Sequence, residues 1–378
     1  MGWDITKDDL QALGIGAAIL GTGGGGDPYI GRLLAEDALA SGPVRIVTPE
    51  ELDPDGYVFA SAAMGAPTCV IEKLPAGHEP IVSFQALERR LGQKATAVCP
   101  MEAGGINSMI PLLVGARLNL PVVDADGMGR AFPELYMQTF HIYGLKGTPA
   151  TLANEWSDVV TFETYSDRQL ESLARVVTIQ MGGQAYLTHF PMRMSELAQT
   201  GVRGTLGFAL GLGRTVMNAR SHHQDPVTAL LNKAQSPPYR GAAIAFKGRI
   251  TDVWRRTTQG FAKGEATIRG SGPWTGSESH IRFQNENLEA RVDGHRVASV
   301  PDLITVLDEE TAIPITTEYL HYGQRVSVLV LGAPEVLVTP EALTVIGPES
   351  FGLEGPYQAP RFARIPPGSD HGRRSIPS

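Results

Sequence analysis

Short apolar runs alternate with helical patterns through the first 125 residues, and this alternation constrains the fold more than any other feature of the chain. Thr6 to Asp9 reads as a capping box ahead of a helix with Leu10, Leu13, Ala17 and Leu20 on one face. Strand patterns follow over 44–47, 57–63, 95–99 and 120–124, with helical patterns over 29–39, 84–91 and 109–118 between them. Each strand is short and apolar throughout, as strands buried on both faces are. The expectation is an α/β fold with a mostly parallel N-terminal sheet and flanking helices. In such sheets ligands bind beyond the carboxyl ends of the strands. The polar residues of this half gather in those places: after 57–63 (Met64 to Thr68), after 95–99 (Pro100 to Asn107) and after 120–124 (Asp124 to Glu134).

The pattern changes after Ser236-Pro-Pro-Tyr239. Short β-like runs with turn signals follow at 243–253, 264–268, 280–283, 288–292, 325–331 and 343–346, so a mostly β C-terminal domain is expected. The expected boundaries are an N-terminal α/β domain over 1–165 and a C-terminal domain over 166–358. The latter is helical over 166–235 and mostly β over 240–358. The Pro-, Gly-, Arg- and Ser-rich segment 359–378 has little to bury and reads as a disordered tail.

Within this frame the run Leu20-Gly-Thr-Gly-Gly-Gly-Gly-Asp-Pro28 stands out. Glycine loses more backbone freedom on folding than any other residue, so four in a row need a reason. Gly23, Gly24, Gly25 and Gly26 suit positive φ, or the approach of a group that a Cβ would block. Asp27-Pro28 reads as an N-cap with Pro at the first helical position. Backbone N–H groups converging there suit an anionic or strongly polar ligand. A tight interhelical turn is the plainer alternative. The run follows a helix rather than a strand and lacks a P-loop Lys, so no nucleotide is expected.

Four acids are candidates for catalysis. Asp124 and Asp126 lie two apart just past a strand, where extended backbone points them the same way. Glu102 sits in the neighbouring loop, and Glu134 follows eight residues after Asp126. Such a group can act as general base and acid, or can hold a divalent metal, although no spacing selects one. The alternative is that Asp124 and Asp126 cap the next helix and pair with Arg130. Arg130 and Asn107 are candidate substrate clamps, and Gly104 and Gly105 candidate backbone donors. Cys99 ends a strand with no histidine beside it, so an inert buried thiol is the expectation there and at Cys69. In Phe283-Gln-Asn-Glu-Asn287 four polar residues stand where a strand should alternate, which marks either an edge or turn, or a site or interdomain role.

Composition excludes other classes. A net charge of −8 disfavours a nucleic-acid surface, and no apolar stretch is long enough to span a membrane. Two cysteines and no evident signal peptide suit the cytoplasm, where homo-oligomers are the default.

The motifs L-G-T-G-G-G-G-D-P, M-G-A-P, E-A-G-G-I-N and V-V-D-A-D-G-M-G-R-A-F-P-E, in this order, resemble the S-methyl thiohydantoin desulfurase family. F-K-G-R-I-T-D-V, F-Q-N-E-N-L, V-P-D-L-I and G-P-E-S-F-G extend the resemblance to about residue 355. It implies conversion of a thiohydantoin, or its S-methyl form, to the hydantoin, in breakdown of thiolated histidine derivatives. It also implies a functional link to hydantoinase/oxoprolinase-type enzymes. The same site skeleton fits a hydrolase or isomerase of another hydantoin- or oxoproline-like cyclic amide, or a non-catalytic binding subunit.

Overall fold

Thr6 and Asp9 close the chain into its first helix. The Asp9 carboxylate accepts the Thr6 N–H at 3.0 Å, just ahead of α1 (Leu10–Leu20). The structure, a computed structural model, describes residues 2–26, 28–65, 73, 75–258 and 261–360. Asp27, Cys69 and the expected tail beyond residue 360 lie outside the described residues.

Strands β2 (Val44–Val47), β3 (Tyr57–Gly65), β4 (Ala97–Pro100) and β5 (Val122–Val123) form a parallel core in the order β2-β5-β4-β3. Helices Glu79–Leu91 and Ile110–Leu118 make the crossovers that parallel strands require. The flanks are antiparallel: β1 (Trp3–Ile5) pairs β2, and β9 (Gln184–Arg193) pairs β3 on one side and β7 (Ala150–Ala153) on the other. The outermost strand, β8 (Val159–Phe162), forms a hairpin with β7. The Asn154 side chain sets that turn by accepting the N–H groups of Trp156 (3.1 Å) and Asp158 (2.9 Å). The sheet is thus mixed, mostly parallel at its core.

β5 stops at Asp124. The chain resumes as β6 (Ala125–Asp126), which pairs with β10 (Val202–Arg203) just before the helix Thr205–Ser221. That helix packs closely on α1. A Cβ on Gly16 would overlap the Ala209 carbonyl, and one on Gly213 the Ala12 carbonyl.

The C-terminal strands are β11 (Ala242–Thr258), β12 (Phe261–Gly270), β13 (Glu278–Gln284), β14 (Glu286–Val292), β15 (His295–Ser299), β16 (Leu303–Asp308) and β17 (Arg325–Leu331). They form an antiparallel half-barrel in the order β15-β14-β13-β12-β11-β17-β16. The run at 343–346 is not a strand. It ends the helix Pro340–Ile346, because Thr339 Oγ1 accepts the Ala342 N–H (3.2 Å) and Pro340 fixes the first turn. Leu10, Leu13 and Ile19 of α1 share one buried cluster with Leu303, Leu307 and Leu329 of the second sheet. Truncating one of these leucines to alanine would cost about 2–5 kcal/mol. Among the described residues no helix is long and apolar enough to cross a membrane.

Candidate active site

The glycine run is where three distant segments meet. After α1 the backbone passes through positive φ at Thr22 (50°) and Gly23 (88°). The Thr22 carbonyl then accepts the Asn287 N–H (2.7 Å), the Gly23 carbonyl the Thr317 N–H (2.8 Å) and the Gly25 carbonyl the Ile106 N–H (3.0 Å). A Cβ on Gly24 would overlap the Glu286 carboxyl, and one on Gly105 would overlap the Gly25 carbonyl. Close approach therefore accounts for Gly23, Gly24 and Gly105, and positive φ (73° and 75°) for Gly25 and Gly26. Gly25 and Gly26 line a cleft of about 740 Å3, counting its open mouth, whereas Gly23 and Gly24 stand behind it. Gly104 and Gly105, expected as substrate donors, pack against Gly21 and Gly25 and are absent from the lining.

The Phe283–Asn287 segment contains a turn, and two of its residues line the cleft. Asn285, between β13 and β14, adopts φ 57°, a left-handed conformation that asparagine tolerates. Its N–H donates to the Ala262 carbonyl (2.8 Å), and its Oδ1 accepts the Ala262 N–H (2.9 Å). This pins the turn so that Asn285 and Glu286 join the cleft wall.

Glu102, Glu134 and Asn107 line the same cleft. Asn107 is fixed at both ends: its Oδ1 accepts the Ala63 N–H and its Nδ2 donates to Glu102 Oε1, both at 2.7 Å. Glu102 and Glu286 are buried, yet Oε2 of each has no hydrogen-bond partner among the described residues. Burial holds the Glu102 carboxyl well above the usual range, the Asn107 hydrogen bond opposes this, and the Glu286 and Asp126 charges add to it. Burial also pushes Glu286 up to about 8, opposed first by the Arg130 guanidinium and more weakly by the Gly25 amide. Glu286 therefore keeps its proton near neutral pH and can donate it, and the buried Glu102 carboxyl, whose ionisation the Glu286 charge further penalises, is shifted in the same direction. Glu134 is half-buried on the same wall, where Tyr136 is hydrogen-bonded to it.

Asp124 and Asp126 do not point into this cleft, contrary to expectation. β5 breaks between them, and each carboxylate is engaged by backbone. Asp124 Oδ1 accepts the N–H groups of Leu206 (2.8 Å) and Gly207 (3.2 Å), so it caps the helix Thr205–Ser221. Asp126 accepts the N–H groups of Ala103, Met128 (3.3 Å) and Gly129 (2.8 Å), tying two strand-end loops together. Burial raises it to about 7 against the pull of those amides.

Arg130 is likewise no clamp at the cleft surface. It is fully buried and donates to the carbonyls of Ala131 (3.0 Å), Asp302 (2.6 Å) and Asn287 (3.0 Å) and to Thr22 Oγ1 (2.8 Å). Burial lowers it to about 10, so it remains a cation at neutral pH and stands behind Glu286 as a fixed positive charge. Cys99 is fully buried in β4, and burial pushes its thiol well above the usual range, which leaves no thiolate for attack. Among the described residues no three His, Cys, Asp or Glu side chains group closely enough to hold a metal ion.

Sequence reasoning missed Gln184 and Arg175. Gln184, at the start of β9, is buried; its Nε2 donates to the Tyr186 hydroxyl (3.1 Å), while its Oε1 has no partner among the described residues. Arg175 reaches the cleft from the helix Asp167–Gln180. Neither position carries a local signal: Arg175 belongs to an ordinary amphipathic helix, and Gln184 opens a strand buried on both faces. Glu286 was flagged only by the break in alternation around it.

Comparison with known proteins follows the same outline. The N-terminal domain of the S-Me-THD-like family matches residues 8–164, and the C-terminal domain of that family matches residues 165–359. The crystal structure of a structural-genomics target from Chromobacterium violaceum is similar over 94% of this chain and 99% of its own, at 26% identity and a TM-score of 0.81. No curated protein matches the sequence.

Proposed function

The chain belongs to the S-Me-THD-like family, and from that premise we propose that it hydrolyses the C2–sulfur bond of a 2-thiohydantoin or its S-methyl derivative. The observation that carries this reading is the pair of buried carboxyls with raised pKa, Glu102 and Glu286, each lining one cleft and each with a buried oxygen that has no partner among the described residues. Hydrolysis at C2 needs proton donors for the sulfur or ring nitrogen, a base for water, and acceptors for the ring N–H.

In this reading Glu134, on the more open wall, takes a proton from water as the water oxygen bonds to C2. The C=S electron pair moves to sulfur, which takes a proton from Glu286 or Glu102. The tetrahedral carbon then holds one OH and one SH. The C–S bond breaks as sulfur leaves with a second proton, the hydroxyl gives up its proton, and the C2 carbonyl forms. Thione plus water thus yields hydantoin plus hydrogen sulfide. With the S-methyl form, C2 is doubly bonded to nitrogen, the ring nitrogen takes the proton, and methanethiol leaves. Gln184 Oε1 accepts a ring N–H, and Asn107 holds Glu102 in place.

The test is incubation of the purified chain with 2-thiohydantoin-5-propionate and its S-methyl form, with mass spectrometry of sulfide, methanethiol and hydantoin. Sulfur release with hydantoin formation is expected. Ring opening without sulfur release would replace this reading by a cyclic-amide hydrolase, and binding without turnover by a binding subunit.

A further inference from the structure

Arg175 is the one cation among the described residues that line the cleft. It is also firmly held. Its Nε donates to Glu171 Oε1 at 2.5 Å, and its Nη2 lies 2.5 Å from the same oxygen and 3.1 Å from the Pro133 carbonyl. The Phe261 ring lies 4.8 Å from the guanidinium carbon. Glu171 is itself buried, and its other oxygen accepts the Leu135 N–H at 2.9 Å, so the tether is anchored in turn. These contacts take up the Nε–Nη2 edge and leave Nη1 without a partner among the described residues. The remaining charged lining groups, Glu102, Glu134 and Glu286, are all acids. Among the described lining side chains this guanidinium is the one fixed positive charge that an anion would meet. A guanidinium cannot lose its charge at working pH, and one immobilised on three sides loses little freedom when it binds.

We infer that Arg175 is the specificity-determining residue of the cleft. Its Nη1 receives the carboxylate arm of the proposed ring substrate end-on. The inference rests on the proposed chemistry for the ring, but the anion preference is measurable without turnover. Glu171 acts as the positioning residue that keeps Nη1 free by holding the opposite edge.

The experiment compares 2-thiohydantoin-5-propionate with its neutral propionamide in wild-type, Arg175→Gln and Arg175→Lys protein. It measures kcat/KM for both, and calorimetric affinity for the corresponding hydantoin-5-propionate and hydantoin-5-propionamide. Wild type is expected to favour the carboxylate by about tenfold or more, the size of one charge-assisted hydrogen bond. Arg175→Gln removes that ratio, and Arg175→Lys restores part of it, because a point charge survives without the planar donor. A folding defect lowers both ligands equally and leaves the ratio intact. An unchanged ratio in Arg175→Gln, or no preference in wild type, overturns the inference. If wild type turns over neither compound but still prefers the carboxylate in calorimetry, the hydrolytic reading fails and the anion site stands.

Discussion

The loop that carries Asp124 and Asp126 and the wall that carries Glu102 and Glu286 look alike in composition: each holds two acids, and all four are buried or nearly so. Burial raises Asp126 to about 7 and Glu286 to about 8, so a raised carboxyl alone does not separate them. What separates them is where their oxygens go. Asp126 is surrounded by three backbone N–H groups, whereas Glu102 and Glu286 each keep an oxygen unpaired beside the cleft. A buried acid with its partners in place holds the chain together. A buried acid with an oxygen left over is available to a ligand.

The contrast is broken most severely through turnover. Replacing Glu286 or Glu102 by glutamine keeps the shape and removes the proton, so kcat should fall by about a hundred- to ten-thousandfold while the melting temperature changes little. Asp126→Asn should leave kcat within a few-fold of wild type. The reverse ranking would return the chemistry to the strand-end acids.

Stability gives the next largest difference. An asparagine in place of Asp126 has one acceptor oxygen for three backbone donors, and its NH2 group faces at least one of them. Urea unfolding of Asp126→Asn should show a loss of about 2–3 kcal/mol. In Asp124→Asn the remaining side-chain oxygen would still cap the helix Thr205–Ser221, so that substitution should cost only about 1 kcal/mol. Equal costs would mean that the two aspartates are engaged alike.

The smallest effect sharpens the comparison through pH. Folded Glu286 keeps its proton up to about pH 8, while in the unfolded chain it ionises near about pH 4. Its contribution to stability is therefore complete below about pH 4 and is lost as pH rises to about 8. Glu286→Gln removes that loss, so denaturation at pH 5 and pH 8.5 should show a smaller drop in the variant than in wild type. An identical drop would show that Glu286 is already ionised in the folded protein. In the wild type kcat should also decline above about pH 8 as the proton donor is lost.

Much of the fold was legible in the sequence. The parallel core, the crossover helices and the mostly β character of the C-terminal part follow from local patterns: apolar runs of strand length, helical periodicity, and caps such as Thr6 with Asp9; the antiparallel half-barrel came only with the structure. The helix Pro340–Ile346 was misjudged because its apolar residues outweighed the Thr339-Pro340 start signal. Part of the cleft was legible too, as Gly25, Gly26, Glu102, Asn107 and Glu134 were all singled out and all line it. The strand-end rule drew attention to Asp124 and Asp126 as well, but it fixes where a loop begins and not which way its side chains turn.

By itself, then, the sequence determined the elements, their order, and the need for something to approach the glycine run, because these rest on interactions within a few residues. Only the tertiary structure decided what approaches. Glu286 lies some 260 residues from Gly25 along the chain, and it reaches the loop because β14 is fixed by its antiparallel neighbours and by Arg130. Arg175 and Gln184 face the cleft for the same kind of reason, from a helix and a strand whose local patterns do not mark them. Burial and hydrogen-bond satisfaction, which distinguish a working acid from a structural one, are properties of packed neighbours and exist only once the chain has folded.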